Sequence, residues 1–187
     1  TKKETPMKRY TTLLAAALLM VGCYEVELEI PVVTNVAVIT GNEVLNKANT
    51  RLHGEILEPA QIDANMGVDS KDVSSFLLTG FTLQLTDDSL TAGDTDDLQF
   101  LDSMVIYARS LDSSSGLKEI AVAWYYKGEQ KVLADGSLEF EVDPQLELLP
   151  YMETGFELFS DSVGAIPADD VSVEGLATFL ALTSVSK

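Results

Sequence analysis

The fold of this chain is decided by residues 24 to 30, which read YEVELEI. Three glutamates alternate with Val26, Leu28 and Ile30. A period of two places the apolar side chains on one face of a β-strand and the acids on the other. This stretch therefore predicts a strand with one buried face, and the same pattern recurs through the rest of the chain.

Short β-branched or alternating runs follow, separated by Gly, Asn, Asp, Ser and Pro. We predict further strands at residues 32–40, 51–57, 77–86, 103–109, 119–127, 137–142, 156–160 and 171–185. Helix is confined to two short turns at residues 59–65 and 144–152, the second broken by Pro150. The spacing predicts an all-β fold, an antiparallel β-sandwich of about nine strands of the jelly-roll or Ig-like type.

The last of these segments, VSVEGLATFLALTSV at residues 171–185, also has the composition of an apolar helix. Its Val, Thr and Phe content and its central Gly175 favour a long strand instead. A glycine inside a strand is typical of a bulge or bend. We therefore expect the strand to be irregular near Gly175.

The 187 residues carry a strong acidic charge, with twelve Lys and Arg against thirty Asp and Glu, a formal net charge of -18. The length suits one domain. Four of the basic residues lie among the first nine positions, so the remainder is even more acidic. Such a surface repels phosphate backbones, and nucleic acid is therefore not expected as a partner.

The N-terminal segment has the organisation of a secretory signal. Lys8 and Arg9 precede the apolar run TTLLAAALLMVG, which ends at Cys23, the only cysteine in the chain. The run is shorter than the roughly 20 residues needed to span a bilayer. With one His and one Cys, the chain offers Cys23 no disulfide partner and no obvious metal or nucleophilic site.

Residues 20 to 23, Met-Val-Gly-Cys, resemble the lipobox of bacterial lipoprotein precursors. The resemblance implies that the thiol of Cys23 carries diacylglycerol, that cleavage precedes it, and that its new amino group is acylated, commonly with palmitate. Met20 departs from the usual Leu at that position. A plain signal peptide or an uncleaved anchor is the alternative.

We accordingly divide the chain into a signal peptide at residues 1–22, in which 1–6 form a separate upstream extension or an alternative start, and two mature parts. Residues 23–31 are the lipidated N-terminus, acting as a tether or a first strand, and 32–187 form the β-sandwich. Tyr24 in place of Asp after the cysteine implies, by the same resemblance, the outer membrane, with a periplasmic or surface-exposed face. In style the chain is similar to bacterial surface lipoproteins that have an uncharacterised β-sandwich domain.

The acidic segment DDSLTAGDTDDLQFLD, residues 87–102, is the strongest candidate metal site. Calcium takes six to eight oxygen ligands in flexible geometry, which a loop of aspartates can supply. The spacing does not match an EF-hand, and a solvated acidic loop is the simpler interpretation. The candidate ligands are Asp87, Asp88, Asp94, Asp96 and Asp97.

A second candidate site lies at Trp124 and Tyr125. Strict alternation would place Trp124 in the core together with Ile120 and Val122, and would turn Tyr125 outward, where its ring could stack on a sugar. His53, the only histidine, belongs to a predicted strand, and we expect no catalytic role for it. No catalytic motif is recognisable, so no catalytic residue is assigned.

These observations favour a non-enzymatic, lipid-anchored surface module with a structural, adhesive or partner-docking role. The alternatives are a calcium-binding or carbohydrate-binding domain and, below them, a hydrolase that uses carboxylates. Apart from calcium, no cofactor is expected. The expected partners are the membrane, through the lipid, and a protein or a glycan.

Overall fold

Two antiparallel sheets form the fold of this protein, as seen in a computed structural model that describes residues 24–41, 51–67, 69–90 and 96–185. Within those residues there are ten strands and two short helices. The strands are β1 Tyr24–Val33, β2 Ala37–Ile39, β3 Arg51–Leu57, β4 Val73–Leu85, β5 Leu101–Ser110, β6 Ile120–Tyr126, β7 Leu138–Glu139, β8 Glu141–Val142, β9 Phe156–Gly164 and β10 Val171–Val185. The helices are α1 Pro59–Met66 and α2 Leu149–Thr154, and 3-10 turns occur at Ser70–Asp72 and Asp87–Leu90.

The first sheet has the order β1-β10-β4-β7, with β2 also paired to β10, and the second has the order β3-β9-β5-β6-β8. Every strand pair is antiparallel. The prediction of an all-β sandwich is confirmed. The buried faces of the two sheets meet in one apolar core, in which the Phe76 and Phe179 rings stack with centroids 4.8 Å apart.

Strand β10, which was predicted to be a strand rather than a helix, lies at the centre of the first sheet. Alternate residues from Val171 to Thr183 are buried. The irregularity expected near Gly175 takes another form. The register against β4 shifts between Thr178 and Phe179, whereas the neighbouring strand is interrupted opposite Gly175, between β1 and β2.

Strand β1 is an edge strand that pairs with β10 along its whole length, from Tyr24 opposite Val185 to Val33 opposite Leu176. The sequence left open whether residues 24–31 form a tether or a first strand, and in the structure they belong to a strand. The predicted boundary between residues 31 and 32 therefore falls inside β1. Pro31 does not end the strand. An edge strand tolerates proline because one row of its N–H groups has no ladder partner.

The segment 137–142, predicted as one strand, is divided between the two sheets. Strand β7 pairs with β4 in the first sheet and β8 pairs with β6 in the second. Phe140 lies between them, buried, and its backbone N–H donates to the carbonyl of Phe81 at 3.0 Å. The chain therefore passes from the first sheet to the second at one buried aromatic residue, Phe140.

The helix predicted for residues 144–152 begins only at Leu149, because residues 144–148 form a turn and a single bridge to β4. Pro150 does not break α2, since it lies in the first turn of that helix. Proline is compatible with a first helical turn, whose N–H groups have no partner within the helix. The side chain of Glu147 precedes α2 and ties it to β4, accepting hydrogen bonds from Phe76 N at 2.8 Å and Ser75 Oγ at 2.7 Å.

The strand registers give the sandwich two distinct ends. One end, which we call the proximal end, carries Tyr24, α1 and the Ser70–Asp72 turn, which contacts α1 through a 2.8 Å hydrogen bond from Ser70 N to Asp63 Oδ1. The opposite, distal end carries β2 and the Asp87–Leu90 turn. At about 3.4 Å per residue, the fifteen residues of β10 separate these ends by roughly 50 Å.

Candidate functional site

The outer face of the second sheet carries a concentration of aromatic and charged side chains. In β5, Met104, Ile106 and Ala108 are buried in the core. The alternate residues of β5 therefore point away from the core, and the strand register assigns their partners in β6, β8 and β9 to the same side. We call this surface the aromatic face; its residues are Val105, Tyr107, Arg109, Trp124, Tyr126, Glu141, Glu157, Phe159 and Asp161.

A β-bulge in β6 decides which aromatic residues reach the aromatic face. Ile106 of β5 pairs with Ala123, but Tyr107 pairs with Ala121, so Val122 is an extra residue in β6. Val122 and Ala123 are both buried, and the alternation is shifted by one position beyond them. Trp124 and Tyr126 therefore lie on the aromatic face.

Tyr125 belongs to the core, so the predicted outward orientation of this ring is wrong. Its side chain is only 3% exposed, and its ring lies 5.7 Å from that of Phe140. Burial, followed by the negative charge of Asp102, raises the pKa of Tyr125. Trp124, predicted to be in the core, is half-buried on the outer side.

Tyr107 and Phe159 form the centre of the aromatic face. Their rings stack at 5.4 Å with an interplanar angle of 13°, and the Arg109 guanidinium lies 5.1 Å from the Phe159 centroid. Arg109 Nη2 is 2.5 Å from Glu157 Oε2, and Glu157 is only 9% exposed. Stacking, cation–π contact and a charge-assisted hydrogen bond hold these side chains in one arrangement.

Polar groups border the exposed aromatic pair. Trp124 lies in a row across the sheet, between Glu141 of β8 and Val105 of β5, and Val105 is followed by Asp161 of β9. Gln130 reaches the same border, because its Nε2 donates to Glu141 Oε2 at 3.3 Å. The exposed rings are thus flanked by hydrogen-bond acceptors.

Sequence reasoning identified Trp124 but missed the other members of this face. The alternation in residues 103–109 places Val105, Tyr107 and Arg109 on one side, and that signal was present in the sequence. The position of Phe159 beside Tyr107 depends on the pairing of β9 with β5, which no local pattern reveals.

The predicted calcium ligands are only partly described by the structure. Asp87 is exposed in the distal 3-10 turn, Asp96 is half-buried, and Asp97 Oδ1 accepts a 2.9 Å hydrogen bond from Gln99 N. Asp94 and the side chain of Asp88 lie outside the described residues. Within the described ranges no three acidic, His or Cys side chains are grouped as a metal site. The calcium site stays a prediction.

Two concavities lie where β1 and β2 are interrupted. One, between the sheets, is lined by apolar side chains such as Phe81, Met104 and Leu158, and its volume of about 40 Å³ suits two or three water molecules rather than a ligand. The other is a polar cleft of about 250 Å³ beside Asp87 and Glu174. Gln84 Nε2 already donates to Glu174 Oε1 there, at 2.7 Å.

The remaining predicted residues lie at the limit of the described structure. Cys23 and the side chain of His53 fall outside it, although the backbone of His53 is in β3, opposite Phe159 of β9. Among the described residues, no helix combines the length and the apolar character needed to cross a membrane.

Comparison with known proteins gives no family to which the chain could be assigned. No protein-family model matches the sequence, and no curated protein is detectably similar to it.

Proposed function

We propose that this chain is a lipid-anchored module of the bacterial envelope, attached through Cys23 to the outer membrane. The β-sandwich has a structural, adhesive or partner-docking role and performs no catalysis. The observation that carries this proposal is the sequence Met20-Val21-Gly22-Cys23, which follows two basic residues and an apolar run. Tyr24, the residue after the cysteine, already belongs to β1.

The strand geometry suits a close attachment to the bilayer. Tyr24 pairs with Val185 at the proximal end of the first sheet. A lipid on Cys23 would then be joined to a paired strand with no flexible linker between them. The sandwich would be held with its proximal end at the membrane and its distal end roughly 50 Å away.

The acidic charge makes a lipid anchor necessary for this location. The whole chain has a formal charge of -18 and four of its twelve basic residues lie in the first nine positions, so the body has no electrostatic attraction to anionic headgroups. Each buried methylene of an acyl chain contributes about 0.8 kcal/mol, and several chains together give stable attachment. The acyl groups would therefore supply the membrane affinity that the protein surface lacks.

Expression of Cys23→Ser in a bacterial host tests the anchor. We expect the wild-type protein in the membrane fraction, with a mature N-terminus whose mass includes a diacylglyceryl group and an acyl group. The variant should lack that mass and leave the membrane fraction. Tyr24→Phe is the matched control, because it changes the adjacent residue and keeps the thiol.

Two results would contradict the proposal. One is a Cys23→Ser variant that stays membrane-bound with the same mass as the wild type apart from the substitution. The other is an unmodified cysteine in the wild-type protein. Separation of inner and outer membranes on a density gradient tests the location independently of lipidation.

A further inference from the structure

We propose that the aromatic face binds a neutral carbohydrate, with Trp124 and Tyr126 as the stacking residues. This inference does not depend on the lipid anchor, because it concerns the folded domain alone. It replaces the predicted pair of Trp124 and Tyr125 with the two rings that the β6 bulge turns outward.

The spacing of the two rings suits a saccharide. Trp124 and Tyr126 are separated by two positions on one strand, a distance of about 7 Å along β6. Trp124 is half-buried and Tyr126 is 43% exposed, so their rings are supported by the sheet and open to solvent. Indole and phenol rings combine an apolar surface with a polar group, which matches the C–H faces and hydroxyl edges of a sugar.

The rest of the aromatic face is already held in one arrangement. Tyr107 is stacked on Phe159, and Arg109 is fixed between Phe159 and Glu157. A surface that is already ordered loses little conformational entropy when a ligand binds. The part of the aromatic face beside Trp124 and Tyr126 is therefore preorganised for a ligand that extends over it.

The polar border supplies acceptors for hydroxyl groups. Glu141 is the cross-strand neighbour of Trp124, and Asp161 lies two strands away, about 10 Å across the sheet. Ionised carboxylates only accept hydrogen bonds, and bonds to them are stronger than those between neutral groups. A sugar ring on Trp124 could donate hydroxyl hydrogens to these carboxylates.

The charge of the protein specifies a neutral ligand. Carboxylates border the platform and the whole chain carries -18, so uronic acids and phosphorylated glycans would be repelled. The apolar part of the face is also small, since Phe159 is buried beneath its neighbours. A stable protein partner usually covers about 800 Å² with an apolar centre, whereas two exposed rings suit one or two sugar units.

The experiment uses the full chain and hexamers of four neutral sugars, namely β-1,4-glucose, β-1,4-xylose, β-1,4-mannose and N-acetylglucosamine, with hexagalacturonate as the acidic probe. Trp124 is the only tryptophan, so its fluorescence reports directly on the platform, and isothermal titration calorimetry gives the dissociation constant. We expect at least one neutral hexamer to shift the emission saturably, and hexagalacturonate to give no change.

Substitutions locate the site. Trp124→Ala should weaken the calorimetric affinity at least tenfold, and Tyr126→Ala, at an exposed position that tolerates truncation, should weaken it severalfold. Val38→Ala is the control, because Val38 is 50% exposed on the other sheet, and it should bind as the wild type does. Circular dichroism melts confirm that each variant is folded.

The proposal is overturned if none of the four neutral hexamers binds, or if hexagalacturonate binds as tightly as the best of them. It is also overturned if a folded Tyr126→Ala variant keeps wild-type affinity. Each of these results leaves the lipid-anchor proposal untouched, since that is decided by the mass and the membrane partition of the Cys23→Ser variant.

Discussion

At the scale of single residues, Gly175 shows how an absent side chain allows two elements to approach. A Cβ atom built on Gly175 would lie 2.6 Å from Cζ of Phe81. The backbone of Gly175 is meanwhile bonded twice to Thr34, since its carbonyl accepts from Thr34 N at 2.8 Å and its N–H donates to Thr34 Oγ1 at 2.8 Å. The residue therefore cannot move away from a clash.

We expect Gly175→Ala to destabilise the protein by about 1 to 3 kcal/mol, since the added methyl would overlap the Phe81 ring. Urea denaturation measures the change. Gly80→Ala is the matched control in the adjacent strand, where the new Cβ would meet its nearest atom, Cβ of Thr178, at an ordinary 3.8 Å. Equal stability of Gly175→Ala and the wild type would show that the Phe81 ring can shift at no cost.

A single inserted residue explains the error in the candidate binding site. Strict alternation from Ile120 places Trp124 inside and Tyr125 outside, and the bulge at Val122 reverses both. Local sequence gives no sign of this, because Val122 and Ala123 are equally suited to a buried position. The aromatic pair was recognisable in the sequence, but its orientation depended on the pairing of β6 with β5.

At the scale of elements, the contact between α2 and β4 depends on one carboxylate. Glu147 accepts hydrogen bonds from Phe76 N, Ser75 Oγ and, at 2.9 Å, Leu149 N. Burial opposes the ionised form, but the hydrogen bonds outweigh it, and the pKa of Glu147 is lowered from its usual 4.5. The ionised side chain therefore stabilises the folded state more than the protonated one does.

The pH dependence of this contact follows from the sign of the shift. A carboxyl group with a lowered pKa stabilises the fold above its unfolded pKa, and the stabilisation is lost as pH falls through the folded value. We expect Glu147→Gln to lower the melting temperature at pH 7, and the difference from the wild type to shrink from pH 5 towards pH 3. Melting curves across this range measure it.

Glu153→Gln is the control for that series, since Glu153 is an exposed residue of α2. Its melting temperature should follow that of the wild type at every pH. If the melting temperature of Glu147→Gln stays below that of the wild type by the same amount down to pH 3, the carboxylate contributes through its shape rather than its charge.

At the scale of the whole molecule, charge repulsion acts against the compact state. The formal charge is -18 on 187 residues. Salt screens such repulsion, because the Debye length falls from about 30 Å at 0.01 M to about 3 Å at 1 M ionic strength. The stability of this protein should therefore depend on ionic strength more than that of a neutral domain of equal size.

We expect the melting temperature at pH 7 to rise when sodium chloride is increased from 10 mM to 500 mM. Scanning calorimetry measures the shift. Near the isoelectric point, about pH 4.1, the net charge vanishes and the same increase in salt should have little effect. A melting temperature that is independent of salt at pH 7 would show that the acidic residues are too dispersed to repel one another appreciably.

The fold class and most of the strands were predictable from local sequence patterns. The alternation of residues 24–30 became β1, and the segments at 51–57 and 171–185 became β3 and β10 with the predicted bounds. These predictions succeeded because a strand in a sandwich must bury one face, and that requirement produces a period of two in the local sequence. The lipid anchor is also predicted from local sequence and awaits its experiment.

The pairing of the strands and the grouping of residues on one surface depend on the three-dimensional fold. It divided residues 137–142 between two sheets, interrupted the edge opposite Gly175, and brought Phe159 beside Tyr107. It also turned Tyr125 into the core and Trp124 towards solvent. Register and bulges are fixed by partners distant in the chain, whose hydrogen bonds and packing leave no signal in the local sequence.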